Sequence, residues 1–196
     1  MNSGKNLNIM KNLFATQSIA SYVRIYWSTA VFGSVLSAFT VPVAAHVVLE
    51  YQVANAGSYY KATFKVGHGC GNSSVKQIVV TIPAGVQGAK PMPKAGWVLD
   101  IAQDATQGAT SNVSRITWTA KTPADYLQSA WYDEFVLQAK LPAKEGTLYW
   151  PVSQICEEGR VDWTQIPQAG QKLSDLKTPA AVLELMPTSG SGEHKH

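Results

Sequence analysis

The stretch Tyr59–Val66, "YYKATFKV", decides the fold class. In an extended chain Tyr60, Ala62, Phe64 and Val66 fall on one side and Lys61, Thr63 and Lys65 on the other. Strict two-residue alternation of this kind belongs to a strand with one buried face. Outward from it the same character recurs in "HVVLEYQV", "VKQIVVTIP", "GWVLDIA", "VSRITWTA", "YDEFVLQAKLP" and "TLYWPVSQI". These runs are short and rich in β-branched and aromatic residues. Turn formers separate them at Asn55–Ser58, Gly67–Ser73, Pro83–Gly88 and Gly108–Asn112. The pattern predicts an all-β, two-sheet sandwich with Greek-key-like connections. Only "SDLKTPAAVLELMP" (residues 174–187) stays open, as a turn with a closing strand or as a short helix.

Three segments are expected: residues 1–45 as a leader, 46–187 as the sandwich, and 188–196 ("TSGSGEHKH") as a flexible tail. The leader carries Lys5, Lys11 and Arg24 ahead of the apolar run "IYWSTAVFGSVLSAFTV" and ends in "VAA". Those features read as a secretory signal peptide cut between Ala45 and His46. The run is close to membrane-spanning length, so an uncleaved anchor is the competing reading. With the leader's three cations removed, 13 basic residues face 13 acidic ones. A neutral body gives no electrostatic case for nucleic acid or an anionic membrane. No apolar run recurs near the C-terminus, so a soluble exported product is expected.

Cys70 and Cys156 are the two cysteines of the chain, both in the exported part. An even count in an oxidising compartment favours a disulfide between them. The alternative makes Cys70, in "HGCG", a thiolate metal ligand beside His68, as in a blue-copper site. Cys156 would then be a free thiol without a role.

Cleavage before His46 would change the chemistry of that residue. Its α-amino nitrogen and ring Nδ1 can then hold one metal ion in a single chelate ring. An internal histidine cannot do this, because its backbone nitrogen is an amide. Nitrogen donors of this kind favour Cu(II). The amine, with an ordinary pKa of about 7.7–8.0, has to lose its proton to bind, so affinity falls with pH. The plainer reading of His46 is the first residue of an edge strand.

Four stretches carry a family resemblance: "AHVVLEYQVANAGSYYKATFKVGHGCGNSS", "IPAGVQGAKPMPKAGW", "WYDEFVLQAKLP" and "VDWTQIP". In this order they resemble the YcnI-like (DUF1775) copper-binding domain, over essentially all of residues 46–187. The resemblance implies an extracytoplasmic β-sandwich, cupredoxin-like in outline. It would bind one Cu(II) through an N-terminal histidine, in a mono-histidine brace with a tryptophan beside the metal. Those positions look like His46 and Trp163. Gram-positive members often carry a C-terminal anchor, and none is evident in this chain, which makes a Gram-negative periplasm the expected location.

Other candidates follow from the residues themselves. Trp97 and Trp118 read as core. Trp163 follows the charged, turn-like "EEGRVD" and is expected to be partly exposed. Asp133 and Glu134 should face opposite sides of a strand, and Glu134 is carried as a candidate carboxylate ligand. Glu50 shares a face with His46 but lies about 13 Å along it. His68 is either a surface residue or a second ligand, and His194 and His196 sit in the tail. No nucleophile-elbow motif is present.

The expected function is thus a periplasmic Cu(II) carrier, chaperone or sensor without catalysis. Its partners would be a membrane copper transporter or another periplasmic copper chaperone, and no nucleic acid. The alternatives are a polysaccharide-oxidising copper monooxygenase, which needs a second histidine such as His68, and a secreted interaction module without metal.

Overall fold

The computed structural model describes residues 46–104 and 112–188. The expected leader, most of the turn at Gly108–Asn112 and all of the tail except Thr188 lie outside the described residues. The described chain contains twelve strands: β1 (Val48–Leu49), β2 (Val53–Asn55), β3 (Tyr59–Val66), β4 (Val75–Thr81), β5 (Gln87–Pro91), β6 (Trp97–Asp104), β7 (Asn112–Ala120), β8 (Asp133–Lys140), β9 (Gly146–Trp150), β10 (Val152–Cys156), β11 (Arg160–Trp163) and β12 (Ala181–Met186). The all-β expectation holds. The strands form a four-stranded sheet β1-β3-β8-β5, a five-stranded sheet β11-β10-β4-β7-β6, and a short third sheet β2-β12-β9.

The two larger sheets meet through their inner faces. Phe135 of β8 stands edge-on to Trp97 (5.0 Å between ring centres) and Trp118 (5.8 Å) across the core. Phe64 of β3 meets Trp150 of β9 in the same manner at 5.7 Å. Edge-to-face contacts of this kind add to the stabilisation from burying the rings. The alternating residues of "YYKATFKV" behave as read: Tyr60, Ala62, Phe64 and Val66 are buried, and Lys61 is exposed. Thr63 departs from the pattern, since it is buried on the opposite face. Phe135→Ala would remove the ring that both Trp97 and Trp118 pack upon. It is expected to cost about 3–5 kcal/mol, read as a lower denaturation midpoint with an unchanged slope; a cost below about 1 kcal/mol would contradict this packing.

Several boundaries differ from the sequence reading. "HVVLEYQV" is two strands: β1 pairs with β3, while β2 runs parallel to β12 in the third sheet. "TLYWPVSQI" likewise divides at Pro151, with β9 and β10 in different sheets. Proline has no N–H for a ladder and suits a point where the chain leaves one sheet for another. Pro83–Gly88 was expected to be a turn only, yet β5 already begins at Gln87. The segment "SDLKTPAAVLELMP" resolves as a short 3-10 turn at Leu173–Asp175 that leads into the closing strand β12.

Candidate functional site

β1 is an edge of the four-stranded sheet and β11 an edge of the five-stranded one. The two edges approach each other at His46 and Trp163. Val47 and Leu49 are buried and fix this segment on the core. Side chains alternate along an extended chain, so His46 is of opposite phase to Val47 and stays half-buried. Its ring centre lies 5.5 Å from that of Trp163, with the planes inclined by 64°. His46 also borders a cleft of about 340 Å³ with apolar walls that include Val48, Leu173, Leu176, Pro179 and Ala181.

Trp163 departs from expectation. It is 4% exposed, not a partly exposed ring. The segment read as turn-like, "EEGRVD", turns only at Glu157–Gly159, and Arg160–Trp163 is strand. Trp163 faces Val152 across the β10–β11 pair and so points inward. On the outer face Asp162 accepts hydrogen bonds from the Ser153 hydroxyl (2.5 Å) and the Arg160 guanidinium (2.7 Å). The Ser153 bond, with help from Arg160, holds the Asp162 carboxyl below its ordinary pKa.

Sequence reasoning passed over Gln154. The indole Nε1–H of Trp163 donates to Gln154 Oε1 (3.0 Å), and Gln154 Nε2 donates to the His68 carbonyl (2.6 Å). One signal for it was available: in "VSQIC", Val152, Gln154 and Cys156 share the inward phase of a strand, and a glutamine there needs partners.

Cys70 and Cys156 form a disulfide. This overturns the thiolate alternative, since a disulfide sulfur carries no thiolate to ligate a metal, and no free cysteine remains. His68 enters the arrangement through its carbonyl, while its ring Nδ1 contacts the Gly69 carbonyl. Glu134 lies on β8, two strands from β1, which is about 10 Å across the sheet. Its carboxylate accepts a hydrogen bond from the Tyr132 hydroxyl, which pushes that phenol up to about 12. Asp133 pairs with Lys94 at 2.6 Å. Among the described residues no three His, Cys, Asp or Glu side chains come together as a metal cluster. Neither Glu134 nor the ring of His68 is therefore grouped with His46 in such a cluster.

With this geometry in view, the chain can be set beside known proteins. Residues 46–185 match the family described as a domain of unknown function, DUF1775. The chain belongs to this family. The DUF1775 match begins at His46, the residue that faces Trp163. Copper-binding protein CutI of Bacillus subtilis (strain 168) is 29% identical over 136 residues, 69% of this DUF1775 chain. The chain spans 62% of that relative's length. An uncharacterized protein from Nocardia farcinica with an immunoglobulin-like fold is 27% identical and superposes with a TM-score of 0.61. That comparison covers 71% of this chain and 97% of the other, and it agrees with the sandwich described above.

Proposed function

We propose that the protein is a periplasmic Cu(II)-binding protein, a carrier, chaperone or sensor, whose ligand is created when a leader is removed before His46. The observation that carries this reading is the pairing of a half-buried His46 with the buried ring of Trp163 at 5.5 Å. The start of the family match at His46 and the name of the Bacillus relative support it.

The residues present suit a single cation. His46 would bring its α-amine and ring Nδ1, two nitrogens in one chelate. Trp163 has no lone pair to offer. Its ring would wall one side of the ion and contribute a cation–π contact. The cleft that His46 borders would give the ion its way in and out. The proposed role is carriage, with a membrane copper transporter or a second copper chaperone as the partner.

The test is a Cu(II) titration of the processed chain followed by electron paramagnetic resonance, together with the intact mass of the exported protein. One tightly bound Cu(II) with nitrogen hyperfine structure is expected, on a chain that begins at His46. A mature N-terminus elsewhere, or an absence of saturable binding, would end the reading. Chitin and cellulose incubated with the loaded protein and a reductant are expected to yield no oxidised oligosaccharides.

A further inference from the structure

Gln154 is 1% exposed and stands in an otherwise apolar neighbourhood on β10. Its cross-strand neighbours are Ile78 on β4 and Val161 on β11, and Val152 and Cys156 flank it on the same face. A buried amide is costly unless both of its ends are paired. Here both ends are paired, and to two different elements: Oε1 receives the Trp163 indole N–H, and Nε2 donates to the His68 carbonyl. Burial of an indole does not by itself require this in the fold. Trp150 is fully buried with no partner for its Nε1 among the described residues.

The acceptor is itself anchored. His68 lies in the loop between β3 and β4, which the Cys70–Cys156 disulfide ties to β10 two residues from Gln154. Backbone bonds Cys70–Ser73 close the loop in both directions, at 3.1 and 3.2 Å. A Cβ on Gly69 would come within 1.8 Å of the Ser73 carbonyl oxygen, so this closure requires glycine there. A continuous path of close contacts runs from the stapled loop through Gln154 to Trp163 and on to His46.

We infer that Gln154 is a positioning residue for the His46–Trp163 pair, holding the indole so that it meets the histidine in one orientation. The inference rests on the Cu(II) reading for its consequence and on hydrogen bonding for its cause. A bonded indole cannot swing away from His46 without stranding a buried amide. Residues that orient metal ligands from behind commonly change affinity by about 10–100-fold when replaced.

The experiment uses the processed chain beginning at His46 and two kinds of readout. In the metal-free protein, the Trp163 Nε1–H is expected to exchange slowly with deuterium, and the His46 ring protons to carry a ring-current shift from Trp163. Gln154→Met is expected to move both signals, to weaken Cu(II) about tenfold, and to alter the hyperfine pattern of the bound ion. In a Trp163→Phe background, which has no indole N–H to hold, Gln154→Met is expected to change the His46 protons no further. If wild type takes up no Cu(II), the carrier reading falls while the His46 and Trp163 signals still decide the positioning role. Unshifted His46 protons and an unchanged copper spectrum in folded Gln154→Met would overturn the inference. Should that variant not fold, rapid exchange of the Trp163 indole proton in the wild-type protein would overturn it equally.

Discussion

A processed chain whose His46 α-amine is acetylated is expected to lose Cu(II) affinity by about a hundredfold or more. Acetylation touches no residue of the sandwich: Val47 and Leu49 remain in the core, and the His46 imidazole still faces Trp163. The only chemical change is that the His46 nitrogen becomes an amide. The second donor of a chelate acts at high effective concentration, and losing such a tethered contact costs on the order of 10²-fold or more in affinity. Titration of the free and the acetylated protein, both beginning at His46, measures the difference directly. Equal affinities would mean that the ion is held elsewhere and that the brace plays no part. His46→Ala complements the acetylation, since it removes the ring and keeps the amine.

The second large effect is expected on stability. Replacing Cys70 and Cys156 with alanine opens a link between residues 86 positions apart. In the chain-entropy account, a loop of that length contributes about 4–5 kcal/mol by restricting the unfolded chain. For a domain of this size that corresponds to a fall in Tm of about 15 °C. The same change frees the loop that carries the His68 carbonyl, so Cu(II) affinity is expected to drop together with Tm. Thermal unfolding of the double variant beside wild type checks the first part, and copper titration below the lower Tm checks the second. A Tm within about 3 °C of wild type would show that the core and ladders alone hold the sheets together.

The fold class was legible because period-2 alternation reports directly on a half-buried sheet. Tyr60, Ala62, Phe64 and Val66 needed no tertiary knowledge to be placed inside. Strand boundaries were less legible. A continuous run such as "HVVLEYQV" gives no local sign that its halves pair with different partners, because pairing is a long-range property. Arg160–Trp163 was misread because charges next to a turn resemble a longer turn, although Arg160 and Asp162 satisfy each other on the outer face of a strand. At the site, His46 and the cysteine pair stood out by chemistry and by count. Gln154 did not, since one glutamine among hydrophobic residues is weak evidence of a role until its partners are known.

The sequence by itself determined an all-β chain, the pair of cysteines available for a disulfide, and a histidine set at a candidate processing point. Each of these is a local property of residue type, spacing or count. Only the tertiary structure decided that Trp163 is buried, that its ring meets His46, and that Gln154 ties it to the disulfide-bound loop. Those residues come from the edges of two sheets, from an interior strand of one of them and from a distant loop. Their meeting depends on how the sheets close over a shared core, which no stretch of the chain specifies alone.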